Sequence, residues 1–129
     1  MKLLLDTHVL IWALEDSPRL PLYIRDMLCD ERNDIYVSVL SLWEISIKHK
    51  KSPDKMRYSA TQIRDYCQRA KYYFLSLSVD NVSTLDKLEA DHLDPFDRML
   101  ACQSESNNMK LITHDKQIKE LGIGFIELF

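Results

Sequence analysis

The chain is poor in the residues that break or staple a backbone, with two glycines, four prolines and three cysteines in 129 residues. No repeat, low-complexity tract or interdomain linker interrupts it, and 46% hydrophobic with 29% charged residues is an ordinary globular composition leaning toward helix. An odd count of cysteines without short metal-ligand spacing excludes a disulfide framework and a zinc knuckle. Cys29, Cys67 and Cys102 each fall in a helical pattern among apolar neighbours, so they are expected to be buried thiols in a reducing cytoplasm. No apolar run is long enough to cross a membrane. The apolar start, Met1 to Leu5, is broken by Asp6 and His8 before it could form the core of a signal peptide. A net charge of −3 argues against coating nucleic acid by bulk attraction, but leaves a nuclease open: an acidic site subtracts charge while a local basic patch still holds phosphates.

What is present is one domain, 1–129, that alternates short apolar runs with amphipathic stretches. Strands are expected at Lys2 to Leu5, Ile35 to Val37, Phe74 to Leu77, Lys110 to Thr113 and Phe125 to Leu128. Helices fall between them: His8 to Leu14, a second opened by Pro18 and Pro21, one capped by Ser38 and running to about Lys50, and one with capping-box spacing at Ser59 and Gln62. Three more follow: one carrying Val82, Leu85 and Leu88, one started by Asp94-Pro95, and a short one at Lys116 to Leu121, while Lys51 to Arg57 is expected to be a loop. Strands separated by helices need crossover connections, which give a mostly parallel sheet covered on both faces. The expected fold is a three-layer α/β/α sandwich.

Four acids, Asp6, Glu44, Asp97 and Asp115, then fall at strand ends or on helices that strands lead into. In an open α/β sheet those positions converge outside the carboxyl ends of the strands. Clustered carboxylates raise one another's pKa unless a cation neutralises them, so a divalent metal is the simplest explanation. Capping competes for Asp6 and Asp115, each of which precedes a short helix. Glu44 lies in a helix apolar on nearly every side. An i,i+4 pair with Lys48, worth about 0.2–0.5 kcal/mol, is too weak to offset burying it. Asp94 is read as a helix cap and Asp97 as aimed into the cleft, with Arg98 either pairing locally or holding a phosphate.

Thr7 and Thr113 place hydroxyls beside the strand-end acids, where they could orient a carboxylate or cap a turn. Lys48, His49, Lys50, Lys51, Lys55 and Arg57 form one basic run, either a solvated helix end or an RNA-backbone contact. His8, His49, His92 and His114 are not paired at zinc spacing. Trp12, Trp43 and the tyrosines read as core or interface residues.

The strings Leu4-Leu5-Asp6-Thr7-His8, Ser41-Leu42-Trp43-Glu44-Ile45, His92-Leu93-Asp94-Pro95-Phe96-Asp97-Arg98 and Leu111-Ile112-Thr113-His114-Asp115, in that order, closely resemble the PIN-domain family, specifically VapC-like toxins of bacterial toxin–antitoxin pairs. The resemblance implies an Mg2+- or Mn2+-dependent endoribonuclease with metal held by Asp6, Glu44, Asp97 and Asp115, and Thr113 as a hydroxyl beside the site. It also implies a homodimer and a cognate antitoxin whose tail occludes the acidic pocket. On the chemistry, Asp6 and Asp115 are expected to bind metal directly, and Glu44 and Asp97 a second ion or its waters. RNA contacts are expected from Thr7, Arg98, Lys48, Lys50 and Lys51. The alternatives are a housekeeping RNA-processing nuclease and a non-catalytic RNA- or partner-binding module. An aspartyl-phosphate enzyme falls behind, because an Asp-x-Asp start would need an acid where His8 stands, and a receiver domain would need a phosphoacceptor where Leu75-Ser76-Leu77 offers none.

Overall fold

A computed structural model describes residues 1–88, 94–121 and 126–129, with side chains left out of account at 119–126 and 128. In chain order it contains β1 (Lys2–Leu5), α1 (Thr7–Leu14), α2 (Leu22–Cys29), β2 (Asp34–Ser38), α3 (Val39–Lys51), α4 (Ala60–Arg69), β3 (Tyr73–Leu75) and α5 (Val79–Ser83). A 3-10 helix (Thr84–Lys87), α6 (Pro95–Ser106), β4 (Lys110–Thr113), a second 3-10 helix (Lys116–Leu121) and β5 (Ile126–Leu128) complete it.

The strands form one parallel sheet in the order β3-β2-β1-β4-β5. β1 is central, and its Leu3, Leu4 and Leu5 are fully buried, as an unbroken apolar run in a sheet covered on both faces requires. The two-residue strand period divides them between two cores. Leu3 and Leu5 join Val9, Leu10, Ile24, Ile45, Ile63 and Cys67 beneath α1 to α4. Leu4 joins Leu100, Ala101, Leu111 and Ile118 beneath α6 and the second 3-10 helix. The result is the three-layer sandwich expected from the alternation of elements.

This topology fixes the place of a site. The chain leaves β1 for β2 and β3 on one side, then crosses back to β4 and β5 on the other, so the order reverses between β1 and β4. A crevice opens outside the strand ends at such a reversal. Leu5 pairs with Ile112 in register, which puts Asp6 and Thr113 at its lip.

Several details differ from the sequence reading. Pro21 is the N-cap of α2 and Pro18 lies before it, while Leu22 in the first turn is 73% exposed, leaving Ile24 as the buried anchor. The third strand is Tyr73–Leu75 and not Phe74 to Leu77, since its pairing with β2 ends at Ser38 opposite Leu75. The Val82 helix is a five-residue turn continued as 3-10, with Val79 and Val82 exposed. Cys29 is exposed at the end of α2, whereas Cys67 and Cys102 are buried as expected. The capping box at Ser59 and Gln62 and the Asp94-Pro95 start both form.

Candidate active site

Asp6 leaves β1 in an extended conformation and caps α1, its Oδ1 accepting the Val9 N–H at 2.8 Å. The second oxygen, Oδ2, accepts the Thr113 hydroxyl at 2.5 Å. Capping and a role in the cleft are therefore not alternatives, because each uses a different oxygen. At 4% exposure, burial pushes the Asp6 carboxyl above its usual range, with Asp115 adding to the rise while the Thr113 and Val9 hydrogen bonds and His8 oppose it.

Thr113 ends β4 and joins both strand-end acids. Its hydroxyl donates to Asp6 and accepts the Asp115 backbone N–H at 3.0 Å. Asp115 in turn takes the Gln117 N–H on Oδ1 at 2.9 Å, starting the second 3-10 helix.

Glu44 reaches the same region from α3, which Ser38 caps at the end of β2 by accepting the Leu40 N–H. It is 4% exposed, and its two oxygens are held by different donors. Thr7 donates to Oε1 at 2.7 Å, and Lys48 contacts Oε2 at 2.5 Å. The buried Ser41 hydroxyl lies 3.0 Å from that of Thr7. Burial lowers the Lys48 pKa, but Glu44, with Asp94 and Asp97 behind it, outweighs that and leaves it raised. The i,i+4 pair discounted in the sequence thus forms as a buried carboxylate's counter-ion.

Asp94 caps α6 through the Phe96 N–H at 2.8 Å, and Asp97 in the first turn is half-buried. Its pKa is pushed up to about 7, first by desolvation and then by the charges of Asp94, Glu44, Asp6 and Asp115. The structure therefore brings all four predicted acids into one electrostatic neighbourhood. Arg98 sits half-buried beside Asp97 on the same turn.

The basic run divides. Lys48, Lys51 and Lys55 line a cleft of about 330 Å3 with His8, Ser52 and Met56. Arg57 turns away to pair with Glu15, and Lys50 is exposed but outside that lining. A second cleft, of about 290 Å3, is lined by Asp6, His8, Trp12, Arg19, His114 and Asp115. Sequence reasoning missed Ser41, although its spacing three residues before Glu44 places both on one helical face. Trp43, expected in a core or interface, is 60% exposed and stacks edge-on against Phe96.

Among the described residues, no three His, Cys, Asp or Glu side chains gather in an arrangement that holds a metal ion as they stand. Lys48 fills the counter-ion position at Glu44, and Thr113 and Val9 engage both oxygens of Asp6. The donor set still suits a hard cation, being carboxylate and hydroxyl oxygen throughout. Desolvation first, and the neighbouring acids after it, raise the Asp97 pKa, and a bound cation would oppose both. Of the histidines weighed for zinc, His49 and His114 direct Nδ1 at the carbonyls of Met56 and Phe129, and His92 lies outside the described residues.

The sequence matches the PIN domain family over residues 3–124, from β1 to beyond the second 3-10 helix. The chain is a PIN domain. PIN domains are generally nucleases and typically use divalent metals. A comparison with curated sequences gives no match. Among solved structures, this PIN domain shares its fold with a chain of VapBC2 from Rickettsia felis, solved bound to a promoter DNA fragment, at a TM-score of 0.76 and 19% identity, covering 99% of this chain and 98% of that one. DNA-bound VapBC from Salmonella typhimurium is similar at 0.71 and 17% identity, covering 98% and 97%. VapBC-1 from nontypeable Haemophilus influenzae is similar at 0.69 and 19% identity, covering 99% and 98%. In this PIN domain the family match takes in Asp6, Glu44, Asp97 and Asp115.

Proposed function

We propose that the chain, a single PIN domain over 1–129, is a metal-dependent endoribonuclease and the toxin of a toxin–antitoxin pair. The observation that carries the catalytic half is the gathering of acids at the β1/β4 crevice closely enough that Glu44, Asp6 and Asp115 add to the desolvation that lifts Asp97 to about 7. The partner half follows from the shared fold with chains of VapBC assemblies. A homodimer, a cognate antitoxin and a cytoplasmic location belong to the same reading, and no helix among the described residues is long and apolar enough to cross a membrane.

Asp6 and Asp115 would hold an Mg2+ or Mn2+ ion, with Glu44 and Asp97 holding a second or its waters. When bound, the ion supplies positive charge to the developing oxyanions and makes a water acidic enough to attack a phosphodiester. Thr113 keeps Asp6 Oδ2 in place and fixes the backbone at Asp115. Thr7 keeps Glu44 oriented through Oε1. Lys48 neutralises Glu44 and, with Lys51 from the same cleft, would contact a phosphate of the substrate. Asp97, in its ionised form, would accept a hydrogen bond from the attacking water. Thr7, Arg98 and Lys50 complete the proposed RNA-contacting set.

Incubation of purified protein with total RNA in Mg2+, Mn2+ or EDTA, beside Asp6→Asn, followed by mapping of cut ends, tests the reading. Discrete cuts that need metal and vanish in the variant are expected. Absence of cleavage by folded, antitoxin-free protein in either metal would overturn it.

A further inference from the structure

The cleft of about 290 Å3 between α1 and the end of β4 has walls that differ from its floor. Asp6 and Asp115 form the floor, and Trp12, His8, His114 and Arg19 form the walls. Trp12 lies one helical turn after His8 on α1, and the two ring centres are 6.1 Å apart with their planes tilted by 44°. His114 meets the Trp12 ring edge-on at 5.6 Å. The Arg19 guanidinium sits 5.5 Å from the centre of that ring, in the turn between α1 and α2. Trp12 is half-buried against the core and both it and His114 contact the Phe129 ring, while His8, Arg19 and His114 themselves are exposed to solvent. Among the described residues no carboxylate forms an ion pair with Arg19.

Three ring systems and a planar cation beside an acidic, metal-suited floor match the chemistry of an unstacked nucleobase. Bases in single-stranded RNA stack on aromatic and guanidinium planes and are read along their edges. The His114 Nδ1 contacts the Phe129 carbonyl, which can only accept. Nδ1 therefore carries a proton, and Nε2 is the ring nitrogen left for a hydrogen bond to a base edge or a 2′-hydroxyl. The volume is at the low end of the roughly 300–1,000 Å3 typical of small-ligand sites, the scale of one nucleoside and not of a duplex. His8 also lines the basic cleft with Lys51 and Lys55, so the two clefts meet at one residue.

We infer that Trp12, His114 and Arg19 form a nucleobase subsite that seats the nucleotide next to the scissile phosphate, with the strand continuing past His8 toward Lys51 and Lys55. This deepens the nuclease reading and rests on it for the identity of the ligand. The subsite selects single strands and discriminates among bases, and it acts on substrate capture, not on the chemical step.

The test is binding of fluorescein-labelled tetraribonucleotides (A4, C4, G4 and U4) in EDTA, followed by anisotropy, for wild type, Arg19→Ala and Trp12→Leu. KM and kcat on a cleaved RNA are measured for the same three proteins. Wild type is expected to prefer one homopolymer and to bind a short duplex more weakly. Each substitution should weaken tetranucleotide binding roughly 5- to 100-fold, the range for removal of one stacking partner, and raise KM while leaving kcat near its wild-type value. Arg19 is exposed, so that variant remains informative if Trp12→Leu is poorly folded. Unchanged affinity and KM in folded Arg19→Ala, or no tetranucleotide binding by wild type, overturns the subsite. Tetranucleotide binding that is lost in the variants without any cleavage by wild type upholds the subsite and removes the nuclease reading.

Discussion

Replacing Asp97 by asparagine should make the metal-free protein more stable above neutral pH, while abolishing its activity. In the folded protein the Asp97 pKa is raised from 3.8 to about 7 by desolvation and by the charges of Asp94, Glu44, Asp6 and Asp115. Between those values the folded state holds a proton that the unfolded chain has released. The group's contribution is therefore fully present at lower pH and is lost as pH rises toward about 7. A rise of about 3 units corresponds to ~4 kcal/mol at 1.36 kcal/mol per unit. Asp97 is only half-buried, so solvent screening reduces this to about 2 kcal/mol. Asparagine keeps the shape of the neutral acid and has no charge to place in the field. In urea denaturation with EDTA, the variant should match wild type near pH 4 and exceed it by about 2 kcal/mol near pH 8. Its pH slope should be shallower yet not flat, because Asp6 is raised in the same sense. Excess Mg2+ should close the gap by stabilising wild type preferentially. Parallel pH profiles with equal stability near pH 8 would refute the claim that these acids share one field.

Thr113→Val leaves the buried Asp6 Oδ2 and the Asp115 N–H without their hydroxyl partner, and thermal melts should show a loss of about 2–3 kcal/mol; a loss of only a few tenths would contradict the assigned hydrogen bonds. Lys48→Met removes the counter-ion of a Glu44 that is almost fully enclosed. Because Lys48 itself is partly exposed, metal-free stability at neutral pH should fall by only about 1 kcal/mol, and Mg2+ should restore it more fully than it stabilises wild type. A thiol titration of native protein should find Cys29 reacting quickly, while Cys67 and Cys102, buried with pKa values pushed up to about 11, react only on unfolding.

The layered fold was legible because its signals are local. An unbroken Leu3-Leu4-Leu5 run, caps at Ser38, Ser59 and Asp94, and helical periodicity between strands leave little choice but parallel crossovers. Asp6 and Asp115 were legible for the same reason, since a carboxylate just past a buried strand in this topology has one direction to face. The partners of those acids were not. Thr113 meets Asp6 across 107 residues of sequence, and Thr7 meets Glu44 across 37, contacts that exist only once the sheet has formed. Lys48 was visible as an i,i+4 neighbour, but its weight was misjudged: surface energetics describe an exposed pair, and here one partner is enclosed. Trp12 was read as a core or interface residue, and the exposed His8, Arg19 and His114 that line a cleft with it lie on three different segments. Arg57 was counted with the basic run for want of any sequence sign that Glu15 would claim it.

The central claim, that four carboxylates from β1, α3, α6 and the end of β4 form one cation site, is tested most directly by Mn2+ titration followed by electron paramagnetic resonance. Wild type would be compared with Asp6→Asn, Glu44→Gln, Asp97→Asn and Asp115→Asn. Saturable binding weakened in all four variants, most in Asp6→Asn and Asp115→Asn, is the predicted result. Wild-type Mn2+ affinity in folded Asp6→Asn and Asp115→Asn would contradict it.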